Sequence, residues 1–134
     1  MKPFTVLRYL WALPNTALGL LLLPPALVSG GRIKRIGGVL EISGRAPAWV
    51  LERIPFAGPA AALTLGHVVL GCSEDVLERW RSHELIHVRQ YERWGPFFIP
   101  AYMFSSLSAR LKGKDGYLAN RFEAEAFLRQ RDVT

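Results

Sequence analysis

The chain has 134 residues and a mass of 15.0 kDa, enough for one ordinary domain and too little for two. Half of its residues are hydrophobic and its mean hydropathy is +0.14, which excludes a disordered chain and points to membrane contact. Net charge is +6, and Cys72 is the single cysteine, so the chain has no intramolecular disulfide and no C-x-x-C metal or redox motif.

Residues 9–29 run for 21 positions without a charge, the length that spans a hydrocarbon core as one helix. Pro14 and then Pro24-Pro25 interrupt a straight helix, so a broken or re-entrant segment fits equally well. Lys2 and Arg8 before the run and small residues at Ser29-Gly30-Gly31 also match a secretory signal, but Arg32, Lys34 and Arg35 follow at once and disfavour translocation. The reading is a retained apolar anchor over residues 1–31, with residues 32–134 as the folded domain on the cytoplasmic side. A cleaved signal or a buried core helix are the alternatives.

Gly37-Gly38 separates two β-prone runs and predicts a hairpin of strands at 32–36 and 39–43. A short helix follows at Pro47–Arg53, before Pro55. Residues 61–70 (AALTLGHVVL) read as one strand, whose alternation puts Leu63, Leu65, His67 and Val69 on a single face. The three strands are expected to form a small antiparallel sheet. Ser73, followed by Glu74 and Asp75, then opens a helix that runs to Trp94 and stops at Gly95-Pro96.

Inside that helix stands His83-Glu84-Leu85-Ile86-His87. Histidines four apart lie one turn from each other on one helix face, so both imidazoles can reach one metal ion while Glu84 projects toward a water on it. With three histidines and eight glutamates in the chain, the pattern arises by chance somewhere in roughly 0.4% of such sequences, so the motif carries weight. Residues 94–109 form a second apolar tract rich in Trp, Tyr and Phe, too short to span and expected as an amphipathic helix near 97–111 along a bilayer or over the core. Asn120 opens a terminal helix from about residue 121 that carries Glu123 and Glu125.

A catalytic zinc takes three protein ligands, and Gln90 and Arg93 stand where the metzincin pattern needs Gly and His. From Thr64 to Gln130 the chain instead resembles the gluzincins, and its compactness is similar to the minimal members called minigluzincins. The resemblance implies an α+β fold with an active-site H-E-x-x-H helix and a glutamate-bearing C-terminal helix. It also implies Zn2+ held by His83, His87 and Glu123, with Glu84 as the catalytic residue, because Glu123 is followed by Ala126 as in the family's Glu-x-x-Ala/Ser-Asp. Phe127 departs from that pattern by replacing the aspartate that orients a ligand histidine, leaving Glu125 either to do that work or to be the ligand itself. Two residues along a helix turn a side chain by about 200°, so both carboxylates cannot face one metal.

His67 is read as a satisfied strand histidine, with a substitute third ligand or an oxyanion donor as alternatives; in the same families the strand before the metal helix holds an extended peptide, which would place His67 near the cleft as a candidate substrate-binding residue. Tyr91, Tyr102 and Tyr117 are candidate oxyanion donors by residue type, and Gln90 falls on the metal side of the helix. The expected function is zinc-dependent hydrolysis of peptide or protein substrates by a small membrane-associated enzyme. The alternative is a non-catalytic, zinc-stabilised membrane protein. Nucleic-acid binding is disfavoured because the 13 arginines and 4 lysines are spread along the chain, and the sequence sets no oligomeric state.

Overall fold

A computed structural model describes residues 3–53 and 62–133. The fold is α+β. An apolar helix α1 (Pro3–Leu20) and a short α2 (Leu23–Val28) precede strands β1 (Arg32–Ile36) and β2 (Val39–Ser43). Helix α3 (Arg45–Leu51) leads to β3 (Ala62–Leu65) and β4 (Val68–Gly71). The long α4 (Glu74–Trp94), a 3-10 turn (Gly95–Phe97), α5 (Phe98–Leu111), α6 (Arg121–Arg129) and a closing 3-10 turn (Gln130–Val133) complete it.

The sheet differs from the expected three antiparallel strands. It is four-stranded and mixed, in the order β1-β2-β4-β3, with β2 and β4 parallel through Leu40↔Val68 to Ser43↔Gly71. The expected single strand over 61–70 is in fact a hairpin, because Gly66 at φ +62° turns the chain and pairs Leu65 with Val68. The supposed common face of Leu63, Leu65, His67 and Val69 is thereby broken, and His67 sits in the turn. Ala61, the first residue of that expected strand, and Pro55, the expected stop after α3, lie outside the described residues.

β4 reads as a continuous apolar run because both of its faces are covered. Val68 and Leu70 pack with Ala26 and Ile42 under α2, while Val69 packs with Val39, Leu77 and Val88 against α4. Glu41 of β2 is buried on the α4 side and receives a two-pronged bond from Arg81, Nε to Oε2 at 2.9 Å and a terminal nitrogen to Oε1 at 3.0 Å. That bond fixes the middle of α4 against the sheet.

Of the two expected interruptions the one at Pro24-Pro25 is present, since α1 stops at Leu20 and α2 begins at Leu23, whereas the one at Pro14 is not. Pro14 is accommodated within α1, and Pro24-Pro25 occupy the first turn of α2, where proline's missing N–H is not needed. Thr5–Val28 is the stretch of the described residues long and apolar enough to cross a membrane. One side of α1 is nevertheless fastened to the domain. Tyr9 donates to the Gly38 carbonyl at 2.8 Å, Trp11 to the Arg93 carbonyl at 3.2 Å, and buried Asn15 to the Gly95 carbonyl at 2.9 Å.

Gly95 ends α4 at φ +57°, and a Cβ there would overlap the Trp11 indole. Gly95→Ala therefore combines a left-handed backbone penalty with a clash against α1. It should destabilise the fold by about 2 kcal/mol and lower the melting temperature by several degrees, read by thermal unfolding and tryptophan emission.

Candidate metal centre

The centre is built by α4 and α6. Ser73 caps α4 by accepting the Val76 N–H at 3.2 Å, and the helix then carries His83 and His87 on the side that meets α6. α6 is positioned at its start by Asn120. Its Oδ1 accepts the Phe122 N–H at 2.8 Å, and its fully buried Nδ2 donates to the Tyr102 carbonyl at 2.9 Å and to Ser106 Oγ at 2.8 Å. These bonds tie the first turn of α6, which bears Glu123, to α5.

His83, His87 and Glu123 are all buried, and one ligand atom from each lies within 4.8 Å of the others. Glu123 Oε1 stands 2.9 Å from His83 Nε2 and 3.0 Å from His87 Nε2. Its Oε2 accepts the Tyr102 hydroxyl at 2.5 Å. Of the two carboxylates the sequence left open, Glu123 faces the histidines. Glu125 points instead to Gln90 Nε2, 2.8 Å away, and to Arg129 at 4.0 Å.

The hydrogen-bond chain behind the histidines fixes one tautomer. Gln90 Nε2 lies against two pure acceptors, the Phe122 carbonyl at 3.0 Å and Glu125, so its Oε1 must be the atom 2.8 Å from His87 Nδ1. His87 Nδ1 therefore carries the hydrogen, which leaves Nε2 as the atom that could bind a metal ion. Gln130 Oε1 stands in the same relation to His83 Nδ1 at 2.9 Å. Phe127 packs its ring 4.5 Å from that of His83, and the bond to His83 Nδ1 comes from Gln130. Gln130 is too distant in sequence from the motif to have been picked out, whereas Gln90 was legible from its helical spacing.

With its hydrogen held on Nδ1 by Gln90, His87 would face the Glu123 oxygen with a bare Nε2 lone pair unless a cation lies between them. Without a metal that cation is a proton. Burial pushes the His87 imidazole down, but the bond to Glu123 and the charges of Glu84 and Glu123 outweigh it and hold it at about 9. Burial likewise pushes the Glu123 carboxyl up, and the bonds from His83, His87 and Tyr102 overcome this and keep it at about 2. A metal ion satisfies the same lone pairs. Ligands on a tetrahedral ion at ordinary His and Glu distances lie about 3.4 Å apart, between the 2.9 Å contacts and the 4.8 Å limit seen here.

Glu84 is buried on the β3 side of α4, where its Oε2 accepts the Thr64 hydroxyl at 2.6 Å. Thr64, which sequence reasoning did not single out, thus fixes this carboxylate. The tyrosines separate by role. Burial and the Glu123 charge push Tyr102 and Tyr117 above their ordinary range, so both stay protonated beside the centre. Tyr91 is a core residue whose hydroxyl donates to the Thr64 carbonyl at 2.9 Å.

His67 does not belong to the His83, His87 and Glu123 group. It is buried between α1 and α4, its ring stacked 3.8 Å from Tyr9 and its Nε2 2.8 Å from Glu92 Oε2. The Gly66 turn that removes it from a strand face is the reason.

The glutamine bonds should set metal affinity. Gln90→Ala and Gln130→Ala are each expected to weaken Zn2+ binding by about 10- to 100-fold, measured by competition with a chromogenic chelator. Metal must also displace the His87 proton, so apparent affinity should rise about tenfold per pH unit and level off above about 9. Calorimetry in buffers of different ionisation enthalpy should read about one proton released per ion at pH 7.

Comparison with protein-family models, with curated proteins and with solved structures finds no match to this chain, so its functional reading stands on the geometry of the site.

Proposed function

We infer that the chain is a small zinc-dependent peptidase of the gluzincin type, associated with a membrane through its N-terminal apolar helix. The observation that carries the reading is the convergence of His83 Nε2, His87 Nε2 and Glu123 Oε1 within 4.8 Å, with buried Glu84 adjacent to the first histidine on the same helix. Two histidines and a glutamate form the ligand set of a catalytic zinc that keeps a fourth position open. Zinc bound there would supply a Lewis acid that acidifies a water and polarises a peptide carbonyl.

The protein's own residues do the rest. Glu84 takes a proton from the attacking water and returns it to the leaving amine, and Thr64 holds its carboxylate in one orientation through the 2.6 Å bond to Oε2. Tyr102 holds Glu123 through Oε2, leaving Oε1 to face both histidines. β3, which carries Thr64, ends the sheet among the described residues and is the strand against which an extended peptide would pair.

One observation favours the alternative of a metal that stabilises rather than catalyses: His83, Glu84, His87 and Glu123 are all buried. Hydrolysis of a mixed peptide pool, followed by mass spectrometry, separates the two. Glu84→Gln should keep about one zinc per chain and lose at least about a hundredfold in rate, and chelation should abolish cleavage until zinc is returned. A zinc-loaded protein that cleaves nothing, yet melts at a lower temperature after chelation, would establish the stabilising role instead.

A further inference from the structure

We propose that α5 is a second lipid-facing helix, and that α1, α2 and α5 together seat the protein on the surface of an anionic bilayer. This adds to the membrane reading above, which rests on the N-terminal segment alone, and it is independent of catalysis.

The first observation is an inverted pattern of burial. A helix of a water-soluble domain turns its large apolar side chains inward. α1 does the reverse: Ala12, Asn15 and Gly19 are buried against the domain, while Leu7, Leu10 and Leu18 face out. The second half of α5 repeats this, with Ser106 and Ala109 inside and Phe104, Leu107 and Leu111 outside, while its first turn buries Phe98 in the core. Phe104 is 73% exposed, whereas Ser106, two positions on, is 0%. Small residues inside, large apolar residues outside and polar side chains as fasteners make the packing pattern of helices in lipid, where outward leucine costs nothing.

The fasteners are present on both helices. On α1, Asn15 donates to the Gly95 carbonyl and Thr16 Oγ1 accepts the His67 N–H at 3.0 Å. On α5, Ser106 accepts from Asn120, and Ser105 Oγ accepts the Arg121 N–H at 3.0 Å. The two helices also adjoin. The Trp11 and Phe97 rings lie 5.9 Å apart, and Ala12 shares a core cluster with Phe98.

Charge selects the occupant. The helices of this face and the residues that follow α5, spanning 3–28 and 98–114, contain Arg8, Arg110, Lys112 and Lys114 and no acidic residue. Anionic headgroups complement a face that carries basic and no acidic residues, whereas a second copy of the chain would bring two positive faces together. Length sets the mode: α5 has 14 residues, about 21 Å against a hydrocarbon core of about 30 Å, so it lies in one leaflet rather than crossing.

The test places an environment-sensitive NBD label on single cysteines introduced as Leu10→Cys, Leu107→Cys or Arg79→Cys in a Cys72→Ser background of the full chain. Vesicles of phosphatidylcholine and phosphatidylglycerol carry a lipid-borne quencher. Arg79 is exposed and lies on α4 about 20 Å along the helix from its Arg93 contact with α1, so it serves as the aqueous control. Labels at 10 and 107 should be quenched and the label at 79 should not. In parallel, Phe104→Glu with Leu107→Glu should lower vesicle binding by about tenfold or more with the melting temperature unchanged. Quenching at 10 alone would show that α1 is the sole anchor and overturn the role of α5. Quenching at neither position would overturn the membrane reading as well. Concentration-dependent dimerisation abolished by the same two glutamates, without vesicle binding, would assign the face to a second copy and also overturn the proposal.

Discussion

Everything at the centre follows from one electrostatic constraint: Glu123 Oε1 is shared by two imidazole nitrogens at 2.9 and 3.0 Å in a buried site. Lone pairs that converge away from water repel unless a proton or a metal ion lies among them. The surrounding bonds are arranged to keep those lone pairs converging. Tyr102 occupies the other carboxylate oxygen, Gln90 fixes the hydrogen of His87 on Nδ1, and Gln130 stands behind His83. The acidity of Glu123 and the basicity of His87 are two expressions of this one arrangement.

α4 is the element that makes the arrangement possible. On one side Leu77 and Val88 pack onto the sheet and Arg81 grips Glu41, which fixes the helix against β2 and β4. Around its circumference Glu84 meets Thr64 of β3, while His83 and His87 meet α6. A rigid helix with 3.6 residues per turn therefore presents the carboxylate and the imidazoles to different neighbours at fixed spacing. α6 is registered from the other direction by Asn120, whose side chain joins α5 to the first turn that bears Glu123.

α1 and α5 are the parts of the molecule that break the rule of apolar residues inward, and both do so while satisfying their polar groups against the domain. The inner faces of α1 and of the second half of α5 are small and hydrogen-bonded and the outer faces are large and apolar, while Phe98 holds the first turn of α5 in the core. Tyr102, on the inner side of α5, contacts Glu123, the carboxylate of the candidate metal centre. The exposed apolar face and the buried charged site are thus opposite sides of one helix.

Much of the local organisation was legible in the sequence. The uncharged run, the Gly37-Gly38 hairpin, the Ser73 and Asn120 caps, and the spacing of His83, Glu84 and His87 are short-range signals, each set by backbone geometry over a few residues. The β3–β4 hairpin was misread because both faces of β4 are covered, which erases the alternation that marks a half-buried strand and leaves Gly66 as the only signal of a turn. The parallel pairing of β2 with β4 has no local signature at all. Likewise, sequence left Glu123 and Glu125 as alternatives, and only the packing of α6 on α4 decides which carboxylate faces the histidines. Gln130, Thr64 and Tyr102 are 47, 20 and 21 residues from the groups they hold, separations at which only the closed fold brings partners together. What the sequence determined was the set of metal-seeking groups on one helix face; what the tertiary structure decided was their third partner and their orientation, because hydrogen bonds between distant elements exist only after the chain has packed.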